Sequence, residues 1–468
     1  MKARKILSFL MAMLLLGVCF VACDQGGGED ITTPEDPTET PTEEPTQETT
    51  EPSTEQTSDE ATTEEETTRG TVNDAPIGDI LKYDTFDLNT YMAPVWDGRV
   101  VYNETVMFVG MDDKASLLYT PDEILSVRSY DLKTVYEQGK DYDVVDGQLV
   151  LLEGTRIPVI SFEQYYHEKE IPGMPAQLVT KYEGKNYYTY WGEGTTMTQW
   201  QVAVTYVHDQ YWEGFVPEHS NQFARLIAKL EAGEDVTMIF YGDSITWGAT
   251  SSGLNNVHPY APSWSQLFTQ FIAQKYGYTV KYVNTKLPNV STPPAQDSVF
   301  GTNGTITYIN PSVGGWTSVD GTNKFDQYVK PFVEEYGCDF FALAFGMNDA
   351  ANSPNSEKKA IKKIADQVYA VAPETDLMLV ATMIPNPEAT NGWYGNQHRF
   401  ETVFEQLAKD YVEDGKACGV ACVTSMSQRI VENKRFRDHT GNNINHPNDF
   451  LSRIYAQVAF ETVIGYGE

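Results

Sequence analysis

The chain has 468 residues, a length that favours two globular domains over one. Hydrophobic residues make up 41% of it, which excludes a wholly disordered or collagen-like chain. The formal net charge of −33 comes from 33 Lys and Arg against 66 Asp and Glu, so we expect no nucleic-acid partner. Five cysteines are too few for a disulfide-stapled scaffold.

Residues 1–22 are predicted to be a signal peptide. Lys2, Arg4 and Lys5 give a positively charged start, and an apolar run over residues 6–22 follows. The run is short for a membrane span, and its order of charge, apolar stretch and small residue is that of a secretory signal. We therefore expect the chain to be exported.

The end of this segment, Phe20-Val21-Ala22-Cys23, resembles the lipobox of bacterial lipoproteins. In that family the cysteine becomes the lipidated first residue of the mature protein, which implies lipid attachment at Cys23 and anchoring to the outer face of the bacterial cell membrane. Phe20 stands where Leu is usual, so secretion without a lipid is the alternative.

Residues 23–74 are predicted to be a disordered tether rich in Thr, Glu and Pro. Residues 24–70 contain 16 acidic side chains and one basic one. Such a segment cannot bury enough apolar surface to offset the entropy lost on ordering, and its charges repel one another. It would hold the folded part away from the membrane.

Residues 75–225 are predicted to form an antiparallel β-sandwich of jelly-roll type, an accessory domain. Short alternating runs at residues 100–102, 105–109, 149–152 and 201–206 are separated by turn signals such as Asp146-Gly147. The many aromatic residues here fit a hydrophobic core, or a face on which sugars stack.

Residues 235–468 are predicted to form an α/β domain with a parallel five-stranded sheet. Near-continuous apolar runs alternating with amphipathic segments indicate a parallel sheet covered by helices on both faces. The predicted strands are residues 236–241, 278–284, 338–345, 377–384 and 419–424, and the predicted helices are residues 264–275, 325–336, 356–371, 397–412 and 450–464.

Chemistry in such sheets gathers at the carboxyl ends of the strands. Ser244 follows the first strand, on a turn where helix N–H groups can stabilise an oxyanion. Asn348 follows the third strand, Gly315 lies in a glycine-containing loop between these two, and His446 precedes the last helix. A nucleophile, oxyanion donors and a base are what acyl transfer needs.

This set resembles the four motif blocks of the SGNH/GDSL hydrolases, in order along residues 235–468. The resemblance implies that Ser244 is the nucleophile and His446 the general base. It also implies an oxyanion hole made of the Ser244 and Gly315 N–H groups and the Asn348 side chain. A flavodoxin-like, three-layer α/β/α domain, ester substrates, and no metal or other cofactor are implied as well.

One block departs from the family pattern, because Asn443 stands where the family has an aspartate three residues before the histidine. An amide can accept a hydrogen bond from imidazole but has no charge to stabilise imidazolium. Asp438, Asp449 or a backbone carbonyl would be substitutes, and a Ser-His dyad is the other alternative. We favour a dyad or a carbonyl-supported histidine.

The combination of export, tether, β-sandwich and SGNH core resembles bacterial carbohydrate esterases that remove acetyl groups from plant polysaccharides. Trp247, Trp264 and Trp316 lie near the motif residues and would line a sugar groove or pack in the core. The alternatives are a tethered glycan-binding lipoprotein with a weakened hydrolase fold, and an esterase acting on the cell's own wall glycans or on small acyl esters. The oligomeric state is left open.

Overall fold

A computed structural model describes residues 84–172, 178–287, 294, 296–389 and 393–467. The predicted signal peptide, tether and lipid-attachment residue Cys23 lie outside the described residues. All described residues belong to one compact unit.

The first part of the described chain is rich in short strands, as predicted. A five-stranded sheet has the order β4-β3-β11-β1-β7, and two three-stranded sheets have the orders β8-β10-β9 and β2-β6-β5. The coarser prediction of a β-rich region is confirmed, and its strands are spread over these three sheets. The strands are β1 Val100–Val109, β2 Lys114–Ala115, β3 Glu123–Ser129, β4 Val135–Tyr136, β5 Tyr142–Val145, β6 Gln148–Leu151, β7 Val159–Ile160, β8 Tyr166–His167, β9 Leu178–Tyr182, β10 Lys185–Thr189 and β11 Gln201–Val207.

The second part contains a mostly parallel sheet, as predicted, but the described residues give it seven strands instead of five. Its order is β14-β13-β15-β12-β16-β17-β18, and only the β13–β14 pair is antiparallel. The strands are β12 Val236–Gly242, β13 Thr279–Tyr282, β14 Ser298–Val299, β15 Thr305–Ile309, β16 Phe340–Ala344, β17 Asp376–Ala381 and β18 Cys418–Cys422.

Strand β15 was missing from the prediction although it is an interior strand of the sheet, paired with β12 and β13. Its sequence, Thr-Ile-Thr-Tyr-Ile, alternates polar and apolar residues and is therefore not a continuous apolar run. The edge strand β14 has only two residues and was missed because it carries no pattern of its own.

Helices cover both faces of this sheet, which gives the three layers that the motif resemblance implies. Alternate residues of β12 enter two different hydrophobic clusters, since successive side chains of a strand point to opposite faces. Met238 and Phe240 pack with Trp264 in one cluster, while Ile239 and Tyr241 belong to the other. The helices are α1 Leu88–Met92, α2 Phe162–Tyr165, α3 Ala224–Glu231, α4 Ser244–Trp247, α5 Trp264–Tyr276, α6 Ser318–Tyr328, α7 Lys330–Tyr336, α8 Pro354–Val371, α9 Phe400–Glu413, α10 Val423–Asn433 and α11 Asp449–Val463.

Within the described ranges, no helix combines the length and the apolar character that crossing a membrane requires.

The β-rich part shares a core with the α/β part. Phe108 of β1 and Tyr206 of β11 are fully buried in the same hydrophobic cluster as Phe450 and Ile454 of α11. The guanidinium of Arg453, also on α11 and fully buried, donates to the carbonyl of Tyr102 in β1. The strands of residues 100–207 therefore help to bury the helix that follows His446.

A buried ion pair joins the same two parts of the chain. Lys434 Nζ lies 2.7 Å from Glu104 Oε1, and both side chains are completely inaccessible to solvent. Glu104 also accepts hydrogen bonds from the Leu118 N–H and the Tyr206 hydroxyl. The carboxylate is thus paired and hydrogen-bonded, as a buried charge has to be.

We predict that Lys434→Met destabilises the protein by about 3–5 kcal/mol, because it leaves the charge of Glu104 buried without a partner. The double variant Glu104→Gln/Lys434→Met removes both charges and should recover most of that loss. Urea unfolding followed by intrinsic fluorescence measures both. A loss below about 1 kcal/mol for Lys434→Met would contradict the buried-pair interpretation.

Candidate active site

The turn after β12 places Ser244 at the carboxyl edge of the sheet. Asp243 caps α4, and its side chain accepts a hydrogen bond from the Ile245 N–H at 2.9 Å. Ser244 is the first residue of this helix, where N–H groups have no partner within the helix. Burial raises the pKa of Asp243 to about 7. Ser244 is only 5% exposed.

His446 contacts this serine directly, although 202 residues separate them along the chain. Its Nε2 lies 2.8 Å from Ser244 Oγ, and the residue is 8% exposed. The Asn442 side chain stabilises the turn in the loop before α11. Its Oδ1 accepts hydrogen bonds from the N–H groups of Ile444, Asn445 and His446. The predicted pairing of Ser244 with His446 is therefore present as a geometry.

The other ring nitrogen of His446 contacts a residue that sequence reasoning missed. Nδ1 lies 3.0 Å from Oε2 of Glu193, in the turn segment that follows β10. A carboxylate can only accept, so Nδ1 carries the proton and Nε2 is left as the acceptor for the Ser244 hydroxyl. Serine, histidine and carboxylate thus lie in one hydrogen-bonded line.

The pKa of His446 is raised above its ordinary value. Burial alone would lower it, but the Glu193 carboxylate, its hydrogen bond and the charge of Asp243 outweigh that effect. These two carboxylates act on the ring from the segment after β10 and from the turn after β12.

The loop that carries Gly315 is attached to the serine turn. Ser312 Oγ accepts from the Gly242 N–H at 2.9 Å, and the Val313 N–H donates to the Gly242 carbonyl at 3.2 Å. A Cβ on Gly314 would lie 3.6 Å from the Cβ of Ser244, so the backbone runs close beside the serine. Gly315 has a φ of +80°, a conformation that glycine adopts without strain.

Asn348 lies in the loop after β16, and its side-chain amide is oriented by a neighbouring loop. Its Nδ2 donates to the Trp316 carbonyl at 2.8 Å, which uses one of its two N–H bonds. The adjacent Asp349 accepts from the Ser318 N–H and from its hydroxyl at 2.9 Å. The two loops that carry Gly315 and Asn348 are therefore tied to each other.

Asn443, at the position where an aspartate was expected, does not contact the His446 ring. Its Nδ2 donates to the Tyr190 carbonyl at 2.8 Å, and its Oδ1 accepts from the Tyr165 hydroxyl at 3.1 Å. Its φ of +66° lies in the left-handed region, which Asn tolerates better than most residues. Asn443 joins the histidine loop to the segment that carries Glu193.

The two carboxylates considered as substitutes are occupied elsewhere. Asp438 accepts from the Met107 N–H at 2.9 Å and from Arg435. Asp449 accepts from the Ser252 N–H at 2.9 Å. The structure thus differs from the favoured expectation of a dyad or a carbonyl-supported histidine, because Glu193 lies at Nδ1.

The three tryptophans named from the sequence have different surroundings. Trp264 is fully buried and packs against Phe240 and Tyr455, so it belongs to the core and cannot line a substrate groove. Trp247 and Trp316 are half-buried. Trp316 packs edge-on against Tyr241 and Tyr328.

Two functional candidates, Glu193 and Asn442, were not found from the sequence. Glu193 has no local signal, since it lies 253 residues before His446 in an irregular segment. Asn442 could have been recognised only weakly from the sequence. Asn side chains often accept hydrogen bonds from backbone N–H groups two or more residues later in the chain and so stabilise tight turns.

Over the described ranges, no group of three or more His, Cys, Asp or Glu side chains has an arrangement that could hold a metal ion.

Comparison with solved structures finds similar folds at low identity. A two-domain esterase active on acetylated mannans, co-crystallised with mannopentaose, is 17% identical, with a TM-score of 0.36 over 51% of this chain and 52% of that one. An acetyl xylan esterase is 15% identical, with a TM-score of 0.34 over 49% of this chain and 100% of that one. An acetylxylan esterase from Geobacillus stearothermophilus is 12% identical, with a TM-score of 0.35 over 50% and 96%. The chain matches only about half the length of the mannan esterase.

No curated protein matches the chain by sequence. Residues 238–454 match the family model described as GDSL-like Lipase/Acylhydrolase. This range contains Ser244, Gly315, Asn348 and His446, the residues on which the motif resemblance depends. Residues 238–454, slightly less than half of the chain, are therefore similar in sequence to the GDSL-like lipases and acylhydrolases.

Proposed function

We propose that the chain is a serine esterase that removes acetyl or other short acyl groups from carbohydrate. The observation that carries the proposal is the 2.8 Å contact between Ser244 Oγ and His446 Nε2, at the carboxyl edge of the sheet in a GDSL-like domain. A hydroxyl hydrogen-bonded to an unprotonated imidazole nitrogen is the arrangement that activates a serine nucleophile.

In the first half of the proposed reaction, His446 Nε2 takes the Ser244 proton as Oγ bonds to the ester carbonyl carbon. The resulting oxyanion is stabilised by the N–H groups of Ser244 and Gly315 and by the free N–H of Asn348. When the bond to the sugar oxygen breaks, His446 returns the proton to that oxygen. In the second half, His446 deprotonates a water molecule, whose oxygen attacks the acyl carbon. The bond from that carbon to Ser244 Oγ then breaks, His446 returns the proton to Oγ, and the carboxylic acid leaves.

The carbohydrate part of the proposal is supported by exposed aromatic rings beside the Asn348 loop. Trp393 is 40% exposed and Tyr394 is 37% exposed. Their loop packs on the Asn348 loop, because the Asn396 N–H donates to the Ala350 carbonyl and Gln397 Nε2 donates to the Met347 carbonyl. Exposed aromatic faces of this kind suit stacking of sugar rings.

The location of the enzyme is proposed from the sequence alone. The charged and apolar pattern of residues 1–22 supports export, and Cys23 supports lipid attachment at the outer face of a bacterial membrane. An esterase held there by an acidic tether would meet external polysaccharide or the cell's own wall glycans. Acetylated substrates of both kinds therefore belong in the test.

We predict that the purified protein releases acetate from an aryl acetate and from acetylated xylan, and that Ser244→Ala lowers kcat by more than about 10⁴-fold. Release is measured by acetate assay, and circular dichroism verifies folding of the variant. Release of acetate from acetylated wall glycan but not from xylan would indicate that the substrate is one of the cell's own polymers. Polysaccharide binding without any Ser244-dependent release would contradict the esterase and favour a glycan-binding lipoprotein.

We predict that Asn348→Ala lowers kcat by about 100- to 1,000-fold and leaves KM nearly unchanged, because an oxyanion donor acts mainly in the transition state. Asn355→Ala is the matched control, since Asn355 is an exposed amide on the neighbouring helix α8. Steady-state kinetics on an aryl acetate decide the matter. A loss of tenfold or less would argue against Asn348 as an oxyanion donor.

We predict that kcat/KM falls as the pH decreases through the pKa of His446, with a midpoint above 6.5, the ordinary histidine value. The reason is that imidazolium cannot accept the Ser244 proton, so activity requires the deprotonated ring. A pH–rate profile measures the midpoint. A rate that stays level from about pH 8 to about pH 5 would contradict a histidine base.

A further inference from the structure

The Glu193 carboxylate is held from two sides within the candidate site. Oε2 accepts from His446 Nδ1 at 3.0 Å, and Oε1 accepts from Asn442 Nδ2 at 3.0 Å. With the proton on Nδ1, each oxygen faces an N–H donor, and both oxygens of a carboxylate can accept. The amide of a glutamine would place its own donor against one of these donors.

The segment that carries Glu193 is attached to the histidine loop at several points. The Gly192 N–H donates to the Asn442 carbonyl at 3.3 Å. Asn443 Nδ2 donates to the Tyr190 carbonyl at 2.8 Å and to the Thr189 hydroxyl at 3.3 Å. Residues 189–193 therefore run along the histidine loop, and this contact determines where Glu193 lies.

We propose that Glu193, contributed by the β-rich part of the chain, is the positioning residue that orients His446 for its role as base toward Ser244. The proposal rests on the proposed serine esterase function and replaces the dyad that the sequence favoured. The β-rich part of the chain then supplies one residue, Glu193, to the proposed catalytic site.

An incidental surface ion pair is the competing explanation, since the Glu193 side chain is 57% exposed. Exposed pairs have little effect because both partners are hydrated and mobile. Here the histidine side chain is only 10% exposed, and its other nitrogen is held by Ser244. The carboxylate also bonds Asn442, so neither partner is free to leave the arrangement at low cost.

The carboxylate has two effects on the ring. It selects the tautomer with the proton on Nδ1, which leaves Nε2 able to accept the Ser244 proton. It also stabilises the imidazolium that forms during attack on the ester. The other charged group that acts on His446 is Asp243, which remains in every variant of Glu193.

The test compares Glu193→Gln, Glu193→Asp and the matched control Glu183→Gln. Glu183 is an exposed carboxylate in the turn between β9 and β10, in the same part of the chain. We expect Glu193→Gln to lower kcat by about 10²- to 10⁴-fold with little change in KM. Glu193→Asp keeps the charge and should recover part of the loss, while Glu183→Gln should match the wild type.

The pH profile separates positioning from a merely structural role. In Glu193→Gln the acidic limb of kcat/KM should move to lower pH, because the ring loses the charge that favours its protonated form. In Glu193→Asp it should stay near the wild-type position. A loss of kcat without any movement of this limb would overturn the proposal, and so would Glu193→Gln activity within about threefold of the wild type.

An NMR titration of the His446 ring provides a readout that does not need turnover. The His446 signal is identified as the one missing from His446→Asn, and its midpoint should be lower in Glu193→Gln than in the wild type. If the wild-type protein shows no Ser244-dependent hydrolysis, the proposed function fails while this titration still tests the contact. An unchanged midpoint would overturn the role of Glu193 whatever the reaction is.

Discussion

The arrangement of the candidate site depends on polar contacts between the β-rich strands and the chain that leads to His446. The Glu104–Lys434 pair lies at the start of this stretch, where desolvation makes the loss of either partner costly. Further along, the Met107 N–H donates to Asp438, and Asn448 Nδ2 donates to Thr105 at 2.9 Å. Residues 434–448 contain little regular structure, and these side-chain contacts attach this stretch to the β-rich strands.

The sequence predicted the parts of the site that are encoded locally. Ser244, Gly315 and Asn348 lie in loops at the carboxyl edge of the parallel sheet, and the alternation of strands and helices is enough to bring these loops together. Glu193 could not be found in this way, because its position depends on how the β-rich strands pack against residues 442–446. Strand β15 was missed for a different reason, since its alternating residues fit an exposed strand as well as a central one.

Asn443 shows why a departure from a motif is not by itself evidence of a weakened enzyme. Its neighbours include the Tyr190 carbonyl, which needs a donor, and the Tyr165 hydroxyl, which donates to the Asn443 oxygen. An amide satisfies both, whereas an aspartate would face the carbonyl with a second acceptor. At Glu193 the neighbours are Asn442 Nδ2 and the protonated Nδ1 of His446, and the two carboxylate oxygens accept from them. The residue type at each of these two positions therefore matches its hydrogen-bonding neighbours.

The Glu193 side chain is exposed to solvent, and this exposure reduces the strength of its charge interaction with protonated His446. Two unit charges 4 Å apart interact by about 1 kcal/mol in water and about 4 kcal/mol near a protein surface, so water at Glu193 weakens the stabilisation of imidazolium. The hydrogen bond from Nδ1 also selects the tautomer and sets the orientation of the ring. Asn442 bonds both Glu193 and the His446 N–H, and so aligns the carboxylate with the loop that carries the ring. The orientation of the His446 ring therefore depends on the packing of the β-rich strands against the histidine loop.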